Sequence, residues 1–526
     1  MAQAIDALDN LVREELPSMI TDAQPVIAPI FSKIKRTAFG VKKQEGVGRG
    51  YKVTHLYETG VAGLMESGDP LGPDMTTIQG TQANILAQGT AQSLLNIFPA
   101  AEESPHTGDI KRELVLHKIV GNFSIPAEWK QADMLNATQI KKVGRDMKAV
   151  AKLKAIYEAS SFFSHSVTND ASFQNQVVGR ISAIGEHNSW TDYIDITIDE
   201  TYGRISNVRI GMRLDIVADS AGVFQSGVAV NGTDVRNYTD TTQVYVQLIV
   251  VDVDFLGKSF TLRPINSTTG ALPNYGSGSS GDVFQSGQEG AADDWLVFAK
   301  TSRYIAGTRP QFSWGINDWI KATGVIMGGA TGAAALDVDV YSQFKSAVIA
   351  VNGPLTDDVI NGYIGGYLDA YPGESLDTLI TTMGVQLKWL QQPGLYNNRQ
   401  NYERTGKSVD FKGGWSSVSY EFGGRIYDWI VSPMCLSNTL YGCKFAGDNI
   451  KRYGPPRIGG MDADMGPEIE FLATLGGHSG VFKIAHASNG RSQDLLEAPF
   501  WYYNLIAPVD PRGLKLTGLT EATMLG

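Results

Sequence analysis

The spacing of hydrophobic and polar residues changes several times along this 526-residue chain. Near the N-terminus, apolar residues at positions 5, 8, 12 and 16 follow helical spacing, and Pro17 ends that pattern. Further on, the strand-like flanks Tyr51–Tyr57 and Glu113–Ile125 enclose a long segment rich in Gly, Thr, Gln and Pro. This arrangement predicts a long β-hairpin with an elaborate tip. A loop of that length is unusual inside a compact domain, so we expect it to pack on another subunit.

The clearest helical pattern follows this hairpin. Pro126 suits the first position of a helix, and Glu128 favours the first turn. Apolar residues then recur in steps of three and four, which predicts one continuous stripe. They are Trp129, Ala132, Leu135, Ile140, Val143, Met147, Val150, Leu153 and Tyr157. Much of the remaining helix surface is basic, with Lys141, Lys142, Arg145, Lys148, Lys152 and Lys154. At 1.5 Å per residue, about thirty residues give roughly 45 Å of helix, a length suited to a structural spine.

Residues 176–300 consist of short β-branched segments separated by turn residues, which predicts an all-β insertion. The predicted strands are Val177–Ile184, Tyr193–Ile198, Arg213–Ala218, Gln243–Val253, Lys258–Arg263 and Trp295–Ala299. After residue 300 the pattern becomes mixed α/β. Thr356 is placed to cap a helix, Leu376–Leu390 predicts a strand with a short helix, and Pro499–Leu519 predicts two strands around a Pro-containing turn.

The composition is that of a globular protein, with 43% hydrophobic and 19% charged residues, and the length predicts two or three domains. The formal net charge of −11 makes the whole chain a poor candidate for a nucleic-acid binder, so charge has to be considered by region. Cys435 and Cys443 fit neither a redox motif nor a zinc motif, and we expect two buried thiols in a reducing compartment. We expect neither a signal peptide nor a transmembrane helix.

Basic residues are concentrated in two regions, the N-terminal stretch and the predicted long helix. They provide the candidates for facing DNA, which are Lys33, Lys35, Arg36, Lys42, Lys43, Lys141, Lys142 and Arg145. Few aromatic residues lie among them, so contact would be weak, sequence-independent and directed at phosphates. The alternative interpretation is a solvated helix face. Residues 53–110 show the opposite bias, with seven acids and no Lys or Arg.

No motif in the sequence assembles a catalytic or metal site. The seven histidines have no metal-ligand spacing, and Gly46, Gly48 and Gly50 miss the spacing of phosphate-binding loops. The segment Gly477–Gly480 is one residue away from a nucleophile elbow, and a solvated turn is the better interpretation of Asp462 and Asp464. We therefore expect no enzymatic activity, no cofactor, no metal and no membrane partner.

The order of these parts resembles the major capsid protein of tailed bacteriophages, the Hong Kong 97-like capsid fold. Three stretches are also similar to that family: Gly50–Gly60, Gly121–Pro126 with Trp129, and Ala498–Ile506. The resemblance covers nearly the whole chain outside 176–300. It implies an α+β fold with an N-terminal arm, an extended β-hairpin loop, a long spine helix and an axial α/β domain, here with an inserted all-β domain.

Under this resemblance the chain divides into six parts. They are an N-terminal arm (1–50), the extended loop (51–125), the spine helix of the peripheral domain (126–175), the inserted all-β domain (176–300), an axial and peripheral α/β domain (301–497) and the C-terminal strands (498–526). The resemblance implies self-assembly, as hexamers and pentamers, into the icosahedral shell of a virion around double-stranded DNA. Assembly in the host cytoplasm and partners for scaffolding, portal and decoration are further expectations. We expect scaffolding to come from another protein.

Contacts between subunits are expected from the extended loop. Its apolar residues would supply most of the buried area, and its acids would set the register against basic residues of a neighbour. The contact candidates are Leu64, Met65, Leu94, Leu95, Phe98, Glu102 and Glu103. The basic candidates on the neighbour are Lys141, Lys142, Arg145, Lys451 and Arg452.

Two alternative functions remain open at this point. A β-rich phage tail, spike or other attachment protein would account for the Gly-rich β segments, but it accounts poorly for the basic helix. An intracellular hydrolase would need a nucleophile or metal constellation that the sequence does not display.

The first prediction concerns covalent joining of subunits. Some members of the capsid family join a lysine of the extended loop to an asparagine of a neighbour, but residues 53–110 contain no lysine. Assembled particles boiled in denaturant should therefore migrate as a monomer on a gel. A ladder of covalent multimers would contradict this expectation.

Overall fold

The structure is a computed structural model. It describes residues 10–16, 19, 23, 27–38, 50–59, 106–115, 117–126, 137–164, 177–184, 194–217, 229–230, 233–234, 246–266, 295–298, 315–326, 336–339, 342–371, 376–392, 418–454, 469–471, 483–485, 495–504 and 506–522. The structural statements below refer to these residues. None of the helices among them is long and apolar enough to span a membrane.

The described strands are numbered in chain order. They are β1 Lys35–Ala38, β2 Gly50–Thr59, β3 His106–Val115, β4 His117–Pro126, β5 Val177–Ile184, β6 Ile194–Asp199, β7 Arg213–Val217, β8 Ala229–Val230, β9 Thr233–Asp234, β10 Val246–Asp254, β11 Ser259–Asn266, β12 Trp295–Phe298, β13 Val325–Ile326, β14 Leu336–Asp337, β15 Ala347–Gly353, β16 Thr378–Thr381, β17 Val418–Phe422, β18 Arg425–Val431, β19 Leu440–Cys443, β20 Ile450–Gly454, β21 Ile469–Phe471, β22 Lys483–Ala485, β23 Leu495–Asn504, β24 Ile506–Pro508 and β25 Leu514–Leu519.

The described α-helices are α1 Ala137–Phe163, α2 Ile316–Trp319, α3 Asp357–Ala370 and α4 Met383–Leu390. Residues 10–16 are also helical. Short 3-10 helices cover Pro29–Ser32, Ile205–Asn207, Ser342–Phe344 and Ala446–Asp448. The predicted cap of α3 is confirmed, because the Thr356 hydroxyl accepts a hydrogen bond from the Val359 N–H at 3.2 Å.

The long helix α1 differs from its sequence prediction at its N-terminal end and in the position of its apolar stripe. Pro126 is the last residue of strand β4 and not the first residue of a helix. Helix α1 begins at Ala137 and continues to Phe163. Its last turns are buried on all sides, so the amphipathic stripe ends before the helix does. Lys154, predicted on the basic face, is buried, whereas Leu153 from the predicted apolar stripe is 42% exposed.

Three groups of strands organise the rest of the molecule. Strands β10, β11, β6, β5, β12 and β7 close into a barrel within the predicted insertion. Strands β15, β25, β19, β16, β18 and β17 form a six-stranded mixed sheet. Strand β23 lies between β4 on one side and the short strands β21 and β22 on the other.

Three clusters of buried apolar residues correspond to these groups. The first joins the end of α1 to the N-terminal segment and to one side of the six-stranded sheet, with Phe31, Phe162 and Trp319 at its centre. The ring centroids of Phe162 and Trp319 are 5.4 Å apart in an edge-to-face arrangement. The second cluster fills the barrel, and the third lies between the sheet and helices α3 and α4. Helix α1 therefore connects the first cluster to the barrel, against whose core Tyr157 packs.

Candidate functional site

Strands β2 and β3 form an antiparallel ribbon of ten residue pairs. Among the described residues they pair only with each other. Residues opposite each other share a face, and the two faces alternate along a strand. The register runs from Gly50 opposite Val115 to Thr59 opposite His106. An isolated two-stranded ribbon is at best marginally stable in water, so the pairing of β2 with β3 does not by itself account for the stability of this ribbon.

A second candidate surface lies on helix α1. Lys141, Arg145, Lys148 and Lys152 are all exposed, and they follow one another in steps of four, three and four residues. That spacing places them on one face of the helix. We call these four residues the basic ridge. Lys142, which was predicted together with Lys141 and Arg145, is exposed beside the ridge.

A buried ion pair fixes the helix that carries this ridge. The carboxylate of Glu158 on α1 lies 2.7 Å from the guanidinium of Arg452 on β20. The two side chains are 0% and 3% exposed. Arg452 was a sequence candidate for contact with a neighbouring subunit, and that assignment is wrong, because its charge is neutralised inside its own subunit. Sequence inspection missed the role of Glu158, since its partner is distant in the chain.

The C-terminal end of α1 is held by the side chain of Asn317 on α2. Its amide nitrogen donates hydrogen bonds to the carbonyl oxygens of Phe163 at 2.8 Å and Ser164 at 3.3 Å. Its amide oxygen accepts from the Tyr441 hydroxyl at 2.8 Å and from the Lys515 ammonium at 2.7 Å. One asparagine thus satisfies carbonyls that a helix end leaves without an intrahelical partner, and it ties them to two strands of the sheet.

A glycine allows α2 to approach the end of α1 closely. A Cβ atom at Gly315 would lie 2.7 Å from the carbonyl oxygens of Ser161 and Phe162, closer than side-chain carbons are found. The backbone contact between the two helices therefore depends on glycine at this position.

The ammonium of Lys515 lies between the Asn317 amide oxygen and the ring of Tyr441, whose centroid is 5.8 Å away. Burial lowers the pKa of Lys515 to about 8, and the Asp318 carboxylate opposes that shift only in part. The strand end therefore carries a buried cation whose protonation opposes folding, and this cost is relieved as the pH rises above about 8.

The barrel is docked on the α/β part through polar contacts. The Ser437 N–H donates to the carbonyl oxygen of Glu200 at 3.1 Å, and the Arg204 guanidinium donates to the Ser437 hydroxyl. The Ser206 hydroxyl donates to the carbonyl oxygen of Pro433 at 3.1 Å. The Glu200 carboxylate also lies 2.8 Å from the ammonium of Lys258 in the barrel. These contacts hold the segment 200–206 against the turn 433–437.

Of the N-terminal basic candidates, Lys33, Lys35 and Arg36 lie among the described residues. The ammonium of Lys33 pairs with the Asp428 carboxylate, so its charge is engaged within the subunit. Lys35 and Arg36 lie on β1 in parallel register with Lys451 and Arg452 of β20. Lys42 and Lys43 lie outside the described residues, as do all seven contact candidates of the extended loop: Leu64, Met65, Leu94, Leu95, Phe98, Glu102 and Glu103.

The structure places no metal-binding cluster in its described part, where three or more His, Cys, Asp or Glu residues never converge. Cys435 and Cys443 are both buried and form no disulfide, as predicted. Burial raises the pKa of both thiols, which keeps them in the unreactive protonated form at neutral pH.

No protein-family model and no curated protein matches this chain. Among solved structures, the chain is similar to the capsid asymmetric unit of cyanophage A-1(L), with 11% identity, coverage of 94% of this chain and 93% of that chain, and a TM-score of 0.35. It is similar to the capsid of Ralstonia phage GP4, with 8% identity, coverage of 94% and 88%, and a TM-score of 0.31. A third match is the holo encapsulin complex of Synechococcus elongatus, with 10% identity, coverage of 34% and 56%, and a TM-score of 0.19.

Removing one partner of the buried ion pair should destabilise the subunit strongly. Arg452→Met leaves the Glu158 carboxylate buried without its cation, which costs roughly 3–5 kcal/mol. The double variant Glu158→Leu, Arg452→Met should recover most of that loss. The control is Lys345→Met at the exposed pair with Asp339, 3.6 Å apart, which should cost less than about 1 kcal/mol. Thermal unfolding followed by circular dichroism compares the four proteins. Equal losses for Arg452→Met and Lys345→Met would contradict the assignment.

Lys515 should make stability depend on alkaline pH. The folded chain releases this proton near pH 8, whereas the unfolded chain keeps it up to about the ordinary pKa of 10.5. The unfolded state therefore binds more protons in this window, and the free energy of unfolding rises with pH, by at most about 1.4 kcal/mol per unit. Unfolding temperatures from pH 7 to 10 should rise relative to those of Lys515→Met. A constant difference between the two proteins across this range would refute the expectation.

Proposed function

We propose that this chain is the major capsid protein of a tailed bacteriophage. It assembles with itself, as hexamers and pentamers, into the icosahedral head shell that encloses double-stranded DNA. In this role it is a structural protein and not an enzyme, and its place is the virion after assembly in the host cytoplasm.

One observation carries the proposal. Two of the family-like stretches, Gly121–Pro126 and Ala498–Ile506, are distant in the sequence, yet they come together in the pairing of β4 with β23. The register places Phe123 opposite Ala498 and Gly121 opposite Phe500. Along the chain, β4 follows the ribbon strand β3 and precedes helix α1. This pairing supports the proposed arrangement, in which the extended loop, the spine helix and the C-terminal strands adjoin one another.

The charge distribution supports an outward position for the barrel. Residues 176–300 contain 15 acids and 8 bases, a net charge of −7. Such a domain is disfavoured against packaged DNA, although charges are screened beyond about 8 Å at physiological salt. The barrel is fixed to the α/β part at Glu200 and Ser437 and so would project as a rigid unit from the shell.

The proposed partners are other copies of the chain, together with scaffolding, portal and decoration proteins. DNA contact would be non-specific and would fall to the N-terminal basic stretch. Since Lys33 already pairs with Asp428, Lys35, Arg36, Lys42 and Lys43 remain the candidates in that stretch.

A second candidate function is a β-rich tail, spike or attachment protein. The closed barrel favours it, because such a domain can present loops to a receptor. That alternative gives no role to the long basic helix or to the ribbon of β2 and β3, whose described strands pair only with each other.

Electron microscopy of the purified protein, with analytical sedimentation, tests the proposal. We expect closed shells, or rings of five and six subunits that convert to shells when a scaffolding protein is co-expressed. Discrete trimers or fibres would favour the tail or spike alternative. A protein that remains monomeric under all these conditions would overturn the capsid assignment.

The same assay tests whether apolar or charged residues hold the extended loop against a neighbouring subunit. In the proposed contact, Leu95→Ala and Phe98→Ala would remove apolar area worth roughly 25 cal/mol per Å², whereas exposed ion pairs contribute only about 0–1 kcal/mol. Shell yield should therefore fall more for these two variants than for Glu102→Ala or Glu103→Ala. If the apolar variants assemble normally and a single charge variant does not, the loop is held electrostatically and this account is wrong.

A further inference from the structure

Three elements bring the side chains of Asn317, Tyr441 and Lys515 together inside the α/β part of the subunit. Tyr441 on β19 and Lys515 on β25 are partners in the antiparallel register of those two strands. Asn317 lies on α2, which Gly315 allows to approach the end of α1 closely. Asn317 is 6% exposed and Tyr441 is 0% exposed. The carboxamide and the phenol are therefore shielded from bulk water.

The carboxamide of Asn317 is held by four contacts that also identify its two ends. Its nitrogen donates to the carbonyl oxygens of Phe163 and Ser164, so the atom that faces the strands is the oxygen. This oxygen, Oδ1, accepts from the Tyr441 hydroxyl at 2.8 Å and lies 2.7 Å from Nζ of Lys515. Because a C=O bond is about 1.2 Å long, the carbonyl carbon Cγ lies within about 4 Å of Nζ.

These contacts meet the requirements for attack of an amine on an amide. An amine attacks in its neutral form, and burial lowers the pKa of Lys515 to about 8, which leaves roughly a tenth of the amine neutral at pH 7. The Tyr441 hydroxyl donates to the oxygen that becomes negative during the attack. Burial raises the pKa of Tyr441, so the phenol keeps the proton that it donates. The fixed positions of the two groups replace a bimolecular encounter.

We infer that Lys515 and Asn317 react with each other to form an amide bond within one subunit. The lone pair of Nζ attacks Cγ, and the oxygen of the resulting tetrahedral centre is stabilised by the Tyr441 hydroxyl. A proton moves from Nζ to Nδ2, the bond between Cγ and Nδ2 breaks, and ammonia leaves. The buried carboxylate of Asp318, whose charge acts on this amine, is assigned to carry the proton. The reaction consumes no oxidant and no second reactant.

The bond would join helix α2 to the C-terminal strand β25. Its two residues are 198 positions apart, so the bond closes a long loop and restricts the unfolded chain. Because both residues belong to one chain, assembled particles would still migrate as a monomer on a denaturing gel. The titration of Lys515 described above belongs to the unreacted chain, since an acylated amine no longer binds a proton.

Mass spectrometry of the purified full-length chain tests the inference. The intact mass should be lower than the mass of the sequence by one molecule of ammonia. Trypsin cleaves after Arg512 but not after an acylated Lys515, so residues 513–526 should appear in a branched peptide with the peptide that ends at Lys321. Fragmentation of this peptide should place the branch at Asn317 and Lys515.

Two outcomes would overturn the inference. An intact mass equal to that of the sequence, together with the free tryptic peptide 513–515, shows that the amine and the amide have not reacted. A loss of ammonia without a branched peptide assigns the loss to cyclisation of Asn317 on its own backbone. Neither outcome bears on shell formation, so this inference and the proposed function fail separately.

Variants test the roles of the individual groups. Lys515→Arg keeps the cation but replaces the amine with a poor nucleophile, so the branched peptide should disappear. Tyr441→Phe removes the donor to the developing oxyanion and should slow the reaction about 100-fold or more, followed over time after cell-free synthesis. The control is Lys345→Arg at the exposed pair with Asp339, which should leave the branch unchanged. If a variant fails to fold, the measurement on the unaltered chain still decides.

The rate of bond formation should also follow the neutral fraction of Lys515. It should rise about tenfold from pH 6 to pH 7 and level off above about pH 8. The other groups whose charges act on this amine are Asp318, Cys435 and Lys321. Burial raises the pKa of the Cys435 thiol, so that group stays neutral across this range. A rate that does not change with pH would exclude the Lys515 amine as the attacking group.

Discussion

The buried contact between Glu158 and Arg452 fixes the long helix against β20, the central strand of the sheet that also contains β1 and β24. A carboxylate and a guanidinium at 0% and 3% exposure are stable only together, because each would be left as an uncompensated charge if the other moved away. The helix can therefore neither slide nor rotate without disrupting β20. This restraint determines which residues of α1 face outward, and with them the position of the basic ridge.

Asn317 complements that restraint at the end of the helix. Its amide group joins the last carbonyls of α1 to Tyr441 and Lys515 in the six-stranded sheet. The helix is thus restrained near its C-terminal end by one ionic and one hydrogen-bonded contact. The N-terminal half of α1 carries the basic ridge away from these anchors, and the fold therefore presents a charged surface on a firmly held support.

Local patterns predicted much of the secondary structure. Thr356 identifies the start of α3 because a hydroxyl cap acts within a single turn, and the predicted strand Val177–Ile184 has the observed bounds because β-branched residues between turns carry a local signal. The start of α1 was misplaced, since Pro126 is equally suited to the end of a strand. Arg452 was predicted to be a surface cation, because its partner Glu158 is far away in the sequence. Partners that are distant in the sequence produce no periodic pattern, and for the same reason the capping of α1 by Asn317 was not predicted.

The pairing of β4 with β23 also has a consequence for the order of events during synthesis. The two strands are separated by most of the chain, so the sheet that joins them is a contact of very high sequence separation. Strand β4 emerges from the ribosome well before β23 and has to wait for it. The strand that follows the ribbon therefore gains this pairing partner only after the barrel and the six-stranded sheet's first strands have been synthesised.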